Sequence, residues 1–132
     1  ELNVLHKNII KERSVYNIDD YFYFNKELLD FYKSLKGRYK VVMFTSGVLQ
    51  EHPQVKEKLQ GIFDEIFSSQ YLNLPKTKPV SYTTICQKLN IIVGNAVFID
   101  DSNKNINAAN QAGLQTVLYT GNEVMDEVKA LL

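Results

Sequence analysis

The sequence predicts an α/β fold with a parallel sheet, and three observations carry that prediction. From residue 25 onward, apolar runs of strand length alternate with stretches of helical periodicity. One of those runs, Tyr39 to Phe44, is nearly continuous in apolar residues, as strands covered on both faces are. Two strand-like runs end in residues suited to binding small ions. They are Thr45-Ser46-Gly47 and Asp100-Asp101-Ser102. In parallel sheets ligands gather at the carboxyl ends of strands, so both endings are expected on one edge.

The elements follow in order. Asn25 suits the cap of a first helix, with Leu28, Leu29, Tyr32 and Leu35 at helical spacing and Gly37 as its stop. The Tyr39–Phe44 strand comes next. His52-Pro53 opens a second helix, with Val55 and Leu59 inward and Gly61 beyond it. A short strand is expected over Glu65–Ser68. The loop Leu74-Pro75-Lys76-Thr77-Lys78-Pro79 then leads into a helix carrying Tyr82, Ile85, Cys86 and Leu89. The Ala96–Asp100 strand, a helix from about Ser102 to Ala112 stopped by Gly113, a Thr116–Tyr119 strand and a last helix from about Glu123 complete the chain.

Bulk properties narrow the function classes. The 132 residues suit one domain. Lys+Arg and Asp+Glu number 15 each, giving a net charge of zero, which argues against a nucleic acid or a membrane surface held by bulk charge. No apolar run approaches the roughly 20 residues that span a bilayer. A single cysteine, Cys86, cannot form an internal disulfide, and with no signal peptide in view a cytoplasmic setting is expected. Cys86 lies in a helical pattern, where it reads as a small buried residue rather than a nucleophile. The chain begins at Glu1 without Met, as a processed or incomplete chain would.

Adjacent aspartates at a strand end repel each other unless a cation or a donor offsets the charge. Hard carboxylate oxygens suit Mg²⁺, which makes Asp100 and Asp101 candidate metal ligands. Thr45, Ser46 and Gly47 offer a hydroxyl and loop amides to a phosphate oxygen. Lys78, just before Pro79 at a helix start, can neutralise an anion there.

Together these residues resemble the haloacid dehalogenase-like hydrolase superfamily, over residues 25 to 132. Thr45 looks like its second motif, and Lys78, within Lys76-Thr77-Lys78-Pro79, looks like its third. Phe98-Ile99-Asp100-Asp101-Ser102, with Asn105, Ala108 and Gly113, looks like its fourth. The nearest subgroup is that of small phosphatases and dehalogenases with a helical cap. The resemblance implies a three-layer, Rossmann-like parallel sheet. It also implies a Mg²⁺-dependent phosphatase that acts on a small phosphorylated metabolite through an aspartyl-phosphate. Thr45, Lys78 and Asp101 would be catalytic. Thr45, Ser46, Gly47 and Lys78 would bind phosphate, Asp100 and Asp101 would hold Mg²⁺, and Asn105 would support them from behind.

The first motif of that superfamily, Asp-x-Asp after an apolar strand, is not in the sequence. Asp19-Asp20 has no apolar strand before it. Residues 1–24 therefore have two readings. In one they are the end of the cap with its return linker, and the first strand belongs upstream in a longer protein. In the other, Leu2–Asn8 is a degenerate first strand, with His6 and Asn8 in place of the aspartates. Asn cannot serve as a carboxylate nucleophile. Either way this chain is expected to be inactive alone. Two alternatives stand beside the phosphatase: a 2-haloacid dehalogenase, and a catalytically dead binding or regulatory module. The aromatic run Tyr21-Phe22-Tyr23-Phe24 would favour a homodimer if exposed.

Overall fold

A computed structural model describes residues 25 to 132. The expectations for residues 1–24 fall outside the described residues: a cap remnant or a degenerate strand, and the aromatic run. The chain divides into two units, one ending at Asn73 and the other spanning Leu74–Leu132. Each is built from helices around a two-stranded parallel sheet.

In the first unit the Asn25 side chain accepts from the Leu28 N–H at 3.1 Å and starts α1 (Lys26–Leu35). Its buried residue is Phe31, while Leu28, Leu29, Tyr32 and Leu35 are half-buried. Asp64 then ties down the entry to β1 (Val42–Thr45). The Val41 N–H donates to Asp64 Oδ2 at 2.8 Å, and the Asp64 N–H donates to the Val41 carbonyl at 2.7 Å. A 3₁₀ turn (Leu49–Glu51) and α2 (Pro53–Leu59) lead on to β2 (Glu65–Ser68). The two strands run parallel, in register from Val42 opposite Glu65 to Thr45 opposite Ser68. A short helix, α3 (Ser69–Leu72), follows. Leu49, Val55 and Leu59 form the core of this unit, with Leu29, Met43 and Phe63 packed against them. β1 is half-buried along its whole length rather than covered on both faces. Among the described residues β2 is the strand paired with it.

In the second unit α4 (Pro79–Leu89) turns five residues inward: Ser81, Tyr82, Ile85, Cys86 and Leu89. It packs on α5 (Asn103–Ala112), which lies against both β3 (Val97–Asp100) and β4 (Gln115–Leu118). Ala109 of α5 is fully buried, and its lone methyl lets the helix approach the sheet closely. β3 and β4 pair in parallel from Val97 opposite Gln115 to Asp100 opposite Leu118. Gly113 ends α5 at φ +100°, a left-handed conformation that side chains rarely adopt. α6 (Val124–Leu131) closes the unit through the buried Val124 and Val128. No helix among the described residues is long and apolar enough to cross a membrane.

Candidate functional site

The residues of interest lie at strand ends, and the two units are described separately. In the first unit Thr45 closes β1 and is half-buried, Ser46 is exposed and Gly47 is buried. The Gly47 carbonyl accepts from Ser68 Oγ at 2.8 Å and from Gln50 Nε2 at 3.1 Å. Ser68 itself is 5% exposed, so the end of β2 fixes the loop that leaves β1. Two hydrogen bonds on one carbonyl hold the Thr45–Gly47 backbone in a set shape.

In the second unit the site gathers on one carboxylate. Asp100 ends β3, and its side chain is 7% exposed. Its Oδ1 accepts from the Ser102 N–H at 2.8 Å, the local turn that Asp favours before a helix. Ser102 caps α5, its Oγ accepting from the Asn105 N–H over a long 3.5 Å. That first helical turn brings the Asn105 amide to Asp100, with Nδ2 at 3.4 Å from Oδ1 and 3.3 Å from Oδ2. The strongest contact is an ion pair, Lys76 Nζ to Asp100 Oδ2 at 2.6 Å, whose lysine side chain is 12% exposed.

Burial alone would push the Asp100 carboxyl up. The Lys76 ammonium, the Ser102 N–H and the Asn105 amide outweigh burial and hold it below the usual carboxylate range. Asp100 is therefore an anion at neutral pH. Tyr82 Oη donates to the Lys76 carbonyl at 2.5 Å, and Ser81 Oγ donates to the Pro75 carbonyl at 2.6 Å. Burial and the nearby Asp100 charge raise the Tyr82 phenol far above its ordinary value, so it stays protonated and able to donate.

Lys76, and not Lys78, is the lysine that reaches Asp100. Lys78 stands at the cap position of α4, exposed, with no capping bond from its side chain. The reason is a turn over Pro75–Lys78, closed by the Lys78 N–H on the Pro75 carbonyl at 3.1 Å. It sends the two lysine side chains into different surroundings. No sequence pattern marks that turn as separating them, since Pro79 draws attention to the lysine beside it. Asp101 differs from its neighbour: it is exposed and takes no part in the Asp100 network.

A family model of a haloacid dehalogenase-like hydrolase matches residues 2–113. The chain belongs to the haloacid dehalogenase-like hydrolase family. Solved structures share the fold, each at low identity. An uncharacterized protein from Corynebacterium glutamicum is 21% identical, with a TM-score of 0.69 over 80% of this chain and 80% of that one. A dehalogenase with an intermediate complex is 22% identical, with a TM-score of 0.67 over 81% of this chain and 55% of that one. A HAD family enzyme from Bacteroides thetaiotaomicron, in a magnesium complex, is 19% identical, with a TM-score of 0.68 over 80% of this chain and 58% of that one. Beside the last two, this haloacid dehalogenase-like chain spans little more than half the length of the matched protein. No curated protein matches it.

No group of three or more His, Cys, Asp or Glu side chains able to hold a metal occurs among the described residues. Mg²⁺ needs less, since one or two carboxylates, waters and a phosphate oxygen commonly complete its shell. Asp101 supplies an exposed carboxylate for such a site. Asp100 fits poorly as a ligand, because both of its oxygens already accept hydrogen bonds.

Proposed function

We propose that this chain carries the phosphate- and cation-handling part of a Mg²⁺-dependent phosphatase acting on a small phosphorylated metabolite. The observation that carries the reading is the buried Lys76–Asp100 pair beside an exposed Asp101. In this reading Lys76, Asp100, Asn105 and Asp101 divide the work. Lys76, rather than Lys78, presents its ammonium to the transferring phosphoryl group, because Lys76 is the lysine paired with Asp100. Asp100 orients Lys76, and Asn105 orients Asp100. Asp101 is the carboxylate that would hold Mg²⁺. The cation, when bound, would supply neutralisation of the charge on the phosphoryl oxygens. Within the first unit, the Thr45 hydroxyl and the loop amides of Ser46 and Gly47 are donors suited to phosphate oxygens. Preorganised donors aimed at a spread negative charge are the main requirement of phosphoryl transfer.

The nucleophilic aspartate of the proposed aspartyl-phosphate lies outside these 132 residues, which hold no Asp-x-Asp. The chain alone is therefore expected to bind without turnover. Inorganic phosphate with Mg²⁺, followed through backbone amide shifts, is expected to perturb residues around Asp101. Asp101→Asn should abolish the Mg²⁺ dependence of those shifts. In the whole protein, Lys76→Met should lower phosphatase turnover by about 10²-fold or more, as loss of one preorganised donor does, with Lys78→Met close to the parent. If Lys78→Met is the damaging change and Lys76→Met is mild, the assignment of Lys76 is wrong. Turnover of a 2-haloacid without Mg²⁺ would favour the dehalogenase reading. Binding in the whole protein without any turnover would favour the regulatory module.

A further inference from the structure

We propose that Tyr82 is a positioning residue, whose hydroxyl sets where the Lys76 ammonium sits. Tyr82 is 2% exposed on the inner face of α4. A phenylalanine there would fill the same space without a polar atom to desolvate. The hydroxyl instead reaches out of the helix to the main-chain carbonyl of Lys76 at 2.5 Å. One residue earlier, the fully buried Ser81 does the same for the Pro75 carbonyl at 2.6 Å. Two neighbouring side chains of one helix thus fasten two successive carbonyls of the turn that carries the lysine. The ring of Tyr82 also meets Phe98 edge-on, with centroids 4.8 Å apart. Phe98 in turn lies beneath the lysine, its centroid 5.7 Å from Lys76 Nζ. Backbone and side chain of Lys76 are therefore located by the same aromatic pair.

A long lysine side chain has many rotamers, and ordering it carries an entropic cost. Fixing its carbonyl fixes the direction in which Cα–Cβ leaves the chain. The ammonium then meets Asp100 without a search. Without the hydroxyl the turn can shift, and the ion pair opens more often although both charges remain. The functional consequence rests on the reading of Lys76 as the phosphate-facing lysine; the geometry does not.

The test uses the unliganded chain and the side-chain ammonium resonances of lysine in ¹H–¹⁵N spectra at mildly acidic pH and low temperature. A slowly exchanging ammonium signal is expected, and its disappearance in Lys76→Met assigns it. Tyr82→Phe should speed its hydrogen exchange by about fivefold or more, the size expected for loss of one hydrogen bond, while thermal unfolding stays cooperative. Ser81→Ala should act in the same direction, and it provides the reading if Tyr82→Phe does not fold. Tyr71→Phe, which removes an exposed hydroxyl from the other unit, should change nothing. Exchange within twofold of the parent in Tyr82→Phe, or in Ser81→Ala where that is the readable variant, overturns the proposal. The readout needs neither phosphate nor turnover, so its failure is distinguishable from failure of the phosphatase reading.

Discussion

Lys76→Met is expected to destabilise the second unit by about 3 kcal/mol at pH 7, the low end of the cost of removing one partner from a buried ion pair, because this pair is only part-buried. The methionine fills most of the lysine volume, so the loss reports the charge. Asp100 stays buried, with the Ser102 N–H and the Asn105 amide still donating but no cation beside it. Lys78→Met removes an exposed charge and should shift stability by less than about 0.5 kcal/mol. The effect must also depend on pH. The folded Asp100 carboxyl lies below its ordinary value, so its contribution is present above the ordinary carboxylate range, near pH 4. It is lost as pH falls through the folded value. In Lys76→Met, protonating Asp100 relieves the uncompensated charge, so the parent and variant stabilities should converge on acidification. Urea unfolding at pH 7 and at stepwise lower pH measures both effects. A stability gap that stays constant down to pH 3, or an equal cost for Lys78→Met, would contradict the structure.

Phe98→Ala is the second large effect, at about 3 kcal/mol, the lower end of the range for aromatic truncation because the side chain is only half-buried. The alanine removes the edge-on partner of Tyr82 and the ring under Lys76. Phe98→Leu keeps much of the volume but not the π face, so its cost should be nearer about 1 kcal/mol. The two variants separate packing from ring electrostatics. If they cost the same, the ring acts through its face and edge rather than its bulk. Calorimetry or urea unfolding of both proteins decides between these accounts.

Much of the chain's order was legible because local signals agreed with tertiary needs. Asn25 caps α1 where its side chain predicts a cap, α5 starts within a residue of its expected start, and Gly113 stops α5 with a left-handed turn. The Glu65–Ser68 strand lies at its expected residues, and the other strands are shifted or shortened by a residue or more. The helix α3 has four residues, too few for any periodicity to show. Apolar content marked Tyr39–Phe44 as a strand but could not reveal how much of it is covered, because coverage depends on neighbours distant in sequence. The same holds for the site. Two adjacent aspartates are visible in the sequence, but their different surroundings are not. Asp100 is buried among three donors and Asp101 faces water, because successive residues at a strand end point to opposite sides. Lys76 was hidden by a turn whose anchors, Ser81 and Tyr82, lie on a helix that begins after it.

The Lys76–Asp100 pair also has a place in time. Its two residues stand 24 positions apart, with all of α4 between them. Helical hydrogen bonds in α4 are local, so they are expected to form early, whereas this contact is expected only once β3 is in place and the intervening loop has closed. An interaction completed late contributes little to the folding transition state. Its loss then speeds unfolding while leaving folding nearly as fast as before. The ion pair acts as a latch on the finished unit rather than as a seed for it.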